Sequence, residues 1–245
     1  MIPLFDDAGG ARRGRTMVVL LIMVNLLAFL YELNLGRDSR ILIRDFGMIP
    51  YHITHNNPGS SPVQPVWLTL ITSQFLHGGW LHLGGNMLFL WVFGDEIEGM
   101  LGSFGFLMFY LAGGCVAGMT QAYVAPDSSI PTIGASGAIA AVLGAYIVTY
   151  PGARVMTLVG FFFLNLPAWI VLGLWAVIQA FQGVASIQGA GEASSNVAVW
   201  AHVGGFVFGA IMIVLVSAMS GSTRPPQPDP QYPFYNRRAP WREYE

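Results

Sequence analysis

The chain has no lysine, one cysteine and few charges of either sign. Eleven arginines carry all of its basic charge, 10% of the residues are charged and the formal net charge is −2. No broad basic surface is available to follow a phosphate backbone, which argues against nucleic acid as a partner. With Cys115 alone, neither an intramolecular disulfide nor a cysteine metal cluster can form, and the redox state of the compartment is left open. No inverted internal repeat of the kind found in many transporters is visible. What the chain has in abundance is apolar surface and glycine: 54% of its 245 residues are hydrophobic and 30 are glycine. That composition is far from a soluble domain and reads as an all-α integral membrane protein.

A bilayer core of about 30 Å needs about 20 mainly apolar residues per helix. Six segments meet or approach that length: about 17–35, 80–98, 104–124, 135–150, 167–186 and 198–219. The first follows "MIPLFDDAGGARRGRT" without a convincing small-x-small cleavage site, so it is read as a retained helix rather than a signal peptide. The fourth is short unless residues 131–134 also enter at membrane depth, and Val155 to Leu166, too short to span, is placed at the interface. Arg12, Arg13, Arg15, Arg154, Arg224, Arg237, Arg238 and Arg242 fall on one side of this scheme, which predicts cytoplasmic N- and C-termini. The resulting organisation is a tail over residues 1–16, a core over 17–219 with a long outer loop at about 36–79, and a proline-rich tail over 220–245 expected to be disordered. Within the long loop, Pro65-Val66-Trp67-Leu68 suggests that part of it inserts among the helices.

Polar side chains inside a membrane helix are costly, and each is a functional hypothesis. Four stand out: His82 and Asn86 in "LHLGGNMLFLW", Ser136 in "GASGA" and His202 in "WAHVGGFVFG". In the six-helix scheme they lie in the first two turns of helices two, four and six, roughly 5 to 10 Å below the outer helix ends. Water can reach that depth. Ala201, Gly205 and Gly209 on the sixth helix and Gly137, Ala141 and Gly144 or Ala145 on the fourth form small-residue stripes that allow backbones to approach closely. If those stripes face each other, Ser136 and His202 reach hydrogen-bond distance, and the imidazole can take the proton that keeps a serine hydroxyl a weak nucleophile. His82 and Asn86, four apart, share one face of their helix. With the unsatisfied N–H groups at the start of the fourth helix they would line a pocket for a tetrahedral oxyanion. Glu192, Asp95, Glu96 and Glu98 lie at the wrong depth to orient His202, so a dyad is expected rather than a triad.

"GASGA", the downstream "AHVGG" and "FLHGGWLHLGGN", in that order, resemble the rhomboid family of intramembrane serine proteases over about residues 17–219. The resemblance implies Ser136 as nucleophile, His202 as base, and His82 and Asn86 with the Ser136 amide as the oxyanion hole. It also implies structural roles for Glu98 and Gly102 in "FGDEIEGMLGSFGFLMFY". Two departures are visible: Leu68-Thr69 stands where family members often have Trp-Arg, and Ala140 stands where they often place an aromatic ring on the base.

The reading is an endopeptidase, without cofactor or metal, hydrolysing peptide bonds in or near transmembrane segments that enter from the lipid. It would be a multi-pass protein of a bacterial plasma membrane, of unknown oligomeric state. His77 is expected to fix its loop, Trp175 to be a packing or gate residue, and Gln179 either to bond internally or to meet a substrate backbone. The rivals are a catalytically inactive rhomboid-like protein that binds membrane helices, a metalloprotease using His77, His82 and His202, and a transporter. The metalloprotease lacks an H-E-x-x-H pattern, and the transporter lacks a polar path across the membrane.

Overall fold

The computed structural model describes residues 1–8, 15–57, 59, 61–187 and 198–220. The tail beyond 220 and Glu192 lie outside the described residues. Helix α1 (Thr16–Leu35) begins at Arg15, whose guanidinium bonds the Asp95 carboxylate at 2.7 Å and sits 4.5 Å from the centre of the Trp91 ring. The first N–H groups of a helix have no acceptor within it. Here Met17 and Val18 donate theirs to the two oxygens of Glu98, at 2.9 Å each, and Ser103 donates its hydroxyl to the same carboxylate. An anion at this positive helix end is favourable, so the buried Glu98 ties the start of α1 to the long helix Trp80–Val124 that carries it.

The expected long loop is largely ordered. It contains α2 (Ser39–Phe46), α3 (Pro50–Thr54), a 3-10 turn at Val66–Leu68, α4 (Thr69–Thr72) and a second turn at Ser73–Phe75. Part of it inserts as anticipated. Gln74, buried, donates to the carbonyls of Leu70 and Leu111 at 2.9 and 3.2 Å, and its side chain fills the space a Cβ on Gly114 would need.

Helix α5 (Trp80–Val124) is 45 residues long but is broken at Gly102, whose φ of 70° and ψ of 159° lie outside helical geometry and favour glycine. A Cβ on Gly94 would lie 3.6 Å from the Phe106 ring. In a straight helix these two residues would be about 18 Å apart, so the chain reverses at Gly102 and α5 is two packed arms.

Helix α6 (Ser136–Thr149) is the centre of the molecule, and every residue from Gly137 to Tyr146 is buried. A helix apolar all round can face lipid or protein, and α6 is enclosed by protein. Helix α7 (Ala168–Ile187) is peripheral, while α8 (Val199–Ser220) runs parallel to α6 at backbone contact. A Cβ on Gly205 would fall 2.2 Å from the Gly137 carbonyl oxygen, and one on Gly209 still closer to that of Ala141. The small-residue stripes therefore face each other as expected.

The all-helical expectation fails at one end. Arg154–Val159 (β2) and Phe162–Pro167 (β3) form an antiparallel hairpin, and Ile2–Asp6 (β1) adds to it in the order β1-β2-β3, pairing Ile2 with Leu158 and Asp6 with Val155. A span-length criterion sees in Val155 to Leu166 only a piece too short to cross. Period-two burial shows the strand: Val155 and Thr157 are inward and fully buried. The N-terminal segment is thus partly a strand, and Tyr146 donates its hydroxyl to Asp6. Because β1 pairs with β2 and α8 parallels α6, the N-terminus, the hairpin and the end of α8 gather at one end of the molecule. The starts of α6 and α8 lie at the other. By length and composition three helical stretches among the described residues are long and apolar enough to cross a membrane, Thr16–Phe46, Trp80–Val124 and Val199–Met219, while Ser136–Thr149 and Ala168–Val184 are shorter apolar helices.

Candidate active site

Ser136 is the first residue of α6, held there by an unusual entry. Thr132 exchanges backbone hydrogen bonds with Met48, Gly134 donates its N–H to the Ser73 carbonyl at 2.9 Å, and Gly134 has a φ of 117°, a conformation side chains disfavour. The helix therefore starts abruptly, with the hydroxyl at its mouth. His202 lies in the first turn of α8 and is buried. With α6 and α8 in backbone contact, its Nε2 comes to 2.8 Å from Ser136 Oγ.

The other ring nitrogen meets α7. His202 Nδ1 lies 2.9 Å from Gln179 Oε1, an amide oxygen that can only accept. Trp175, one turn before Gln179 on α7, packs its ring 5.9 Å from the imidazole and 6.0 Å from Phe206. The aromatic neighbour that the family resemblance places beside this histidine, absent at Ala140, is thus supplied from another helix.

His82, on the first arm of α5, accepts the N–H of the preceding Gly78 at Nδ1, at 3.3 Å, which leaves Nε2–H of the neutral ring free to point elsewhere. It points at the entry to α6: a Cβ on Gly134 would lie 2.6 Å from His82 Nε2 and 3.6 Å from Asn86 Nδ2. The Asn86 amide nitrogen donates one hydrogen to His77 Nε2 at 3.0 Å and retains a second. His77 is almost completely buried, stands edge-on to the His82 ring at 5.1 Å, and donates its backbone N–H to Glu32 at 3.1 Å. All six singled-out residues, Ser136, His202, His82, Asn86, His77 and Trp175, therefore gather around the starts of α6 and α8. Among the described residues no group of three or more His, Cys, Asp or Glu side chains is placed to hold a metal ion.

A model of the rhomboid domain matches residues 64–219, more than half of the chain. The chain belongs to the rhomboid family. Among similar proteins, the rhomboid protease GluP of Bacillus subtilis is 33% identical over 186 residues, covering 75% of this rhomboid and 31% of GluP. The chloroplastic rhomboid-like protein 11 of Arabidopsis thaliana is 29% identical over 159 residues, 62% of this chain and 54% of that protein. The putative rhomboid protease YdcA of Bacillus subtilis is 38% identical over 81 residues, 33% of this chain and 40% of YdcA. This rhomboid thus spans about half or less of the length of these relatives.

Of the two readings open for Gln179, the packing of α7 on α8 selects the internal one. Glu32 is the neighbour absent from the sequence reading, although a lone acid near the end of an apolar helix is itself a signal. It serves the backbone of His77 and not the imidazole of His202.

Proposed function

We propose that this rhomboid is an intramembrane serine endopeptidase, cleaving peptide bonds in or near the transmembrane segments of other membrane proteins. The observation that carries the reading is the 2.8 Å contact of Ser136 Oγ with Nε2 of His202. His202 takes the hydroxyl proton as Oγ attacks the scissile carbonyl. The Ser136 amide at the open end of α6, His82 Nε2–H and the second Asn86 N–H hold the oxyanion. The imidazolium then protonates the leaving amine, and water, activated by the same base, releases the acyl group. These steps need no metal or cofactor.

The proposal includes six spans: α1, the two arms of α5, α6, α7 and α8, with α6 completed at membrane depth by the extended segment before it. Both termini are cytoplasmic and the site opens toward the outer side of a bacterial plasma membrane. Substrates enter from the lipid, and residues that loosen a helix favour cleavage, because helical peptide bonds are shielded by their own hydrogen bonds. Purified protein in detergent with a fluorescent transmembrane peptide tests the reading: wild type cleaves, Ser136→Ala and His202→Ala do not, and a chelator has no effect. Equal cleavage by all three proteins rejects the dyad, and peptide binding without turnover by wild type favours the inactive, helix-binding reading instead.

A further inference from the structure

We infer that Gln179 is a positioning residue for the base, holding His202 in the only tautomer that can activate Ser136; the inference rests on the dyad reading above. A neutral imidazole carries one proton on either nitrogen, and the two forms differ little in energy unless a neighbour discriminates between them. Here the neighbours are a hydroxyl on Nε2, which can donate or accept, and an amide oxygen on Nδ1, which can only accept. Gln179 therefore decides. With Nδ1 protonated, the lone pair of Nε2 faces the serine hydrogen. With Nε2 protonated, the hydroxyl would face an N–H, and no base would be present.

The surroundings leave this task to α7. Among the described residues no carboxylate bonds His202, and Ala140 on α6 offers no side chain for it to bond. Trp175 and Gln179 are four residues apart, hence on one face of α7, and that face alone supplies both the ring beside the imidazole and the acceptor for Nδ1. The opposite face of α7 is exposed at Val177, Ile178 and Phe181. The amide gives direction without charge, in contrast to the carboxylate of a triad. It follows that the base is held only while α7 is docked on α8.

Two measurements test the inference. In protein with 15N-labelled histidine, the His202 signals, assigned by their loss in His202→Ala, should report a proton on Nδ1. Gln179→Leu should convert them to a tautomer mixture. In the peptide assay Gln179→Leu should lower kcat roughly 10- to 100-fold, with KM within about twofold of wild type, because ground-state binding is untouched. Gln179→Glu, which again offers an acceptor to Nδ1, should recover most of the loss. A wild-type proton on Nε2 overturns the inference, as does a Gln179→Leu enzyme with unchanged kcat and tautomer. If wild type shows no Ser136-dependent cleavage, the protease reading fails by itself, and the tautomer measurement still decides the role of Gln179. If Gln179→Leu does not fold, the wild-type tautomer and the activity of Gln179→Glu decide.

Discussion

At position 86 one amide serves two neighbours: its nitrogen gives one hydrogen to His77 and keeps another for the space beside Gly134. Removing a single oxyanion donor typically costs 100-fold or more in kcat. Asn86→Ala should therefore lower kcat by roughly 100-fold, whereas His77→Ala, which keeps the amide and loses only its holder, should cost roughly tenfold. Steady-state kinetics on the fluorescent peptide checks both, and an Asn86→Ala enzyme within twofold of wild type would remove Asn86 from the site. A second residue, Asp6, sits far from that chemistry. Burial pushes its carboxyl from 3.8 up to about 6, an effect the Tyr146 hydroxyl partly offsets and the nearby Asp95 and Asp7 reinforce. Because the folded value is the higher one, the fold gains from protonated Asp6. That gain is complete below 3.8 and is lost as pH rises through about 6. Thermal melts in detergent should show wild type losing stability over this window relative to Asp6→Asn, and parallel curves would contradict it. The four polar residues that converge at the starts of α6 and α8 were legible because polar groups are conspicuous in apolar helices. The partners of His202 and His77 were not, since a glutamine or a glutamate is read as internal or exposed only when its neighbours are known.

Among the elements, α6 and α8 set the geometry of the site. Their small residues remove the side chains that would hold two backbones about 8 to 10 Å apart, and Ser136 and His202 meet because the stripes continue below them. A Cβ on Gly209 would overlap the Ala141 carbonyl, while one on Gly173 of α7 would touch nothing within 4 Å. Gly209→Val should therefore abolish cleavage and destabilise the protein by about 1–3 kcal/mol, measured as a lower melting temperature. Gly173→Ala should leave both unchanged. A fully active Gly209→Val would mean that this contact does not set the site. The stripes were readable as four-residue spacings. The hairpin of β2 and β3 was not, because six-residue apolar strands beside membrane helices look like failed spans. The third strand, β1, comes from more than 140 residues away along the chain.

For the molecule as a whole, the pairing of β1 with β2 and the parallel course of α6 and α8 put the hairpin and the start of α6 at opposite ends. The proposed orientation then has a direct consequence. In a Cys115→Ala background, a membrane-impermeant maleimide applied to intact cells should label Asn57→Cys in the outer loop. It should label Phe161→Cys at the fully exposed hairpin tip only after lysis. The reverse pattern would invert the topology. The amino-acid sequence by itself determined the helical membrane character, the family, the polar residues to examine and the faces along which two helices would pack. These are local properties, set by hydropathy, spacing and residue size within a single stretch. Only the tertiary structure decided that α7 supplies both a hydrogen-bond partner and an aromatic ring to the His202 imidazole, that Glu32 holds the backbone of His77, and that the N-terminal segment completes a sheet. Each of those depends on hydrogen-bond partners brought together from distant segments, and hydrogen bonding is too short-ranged and directional to be read from composition or period.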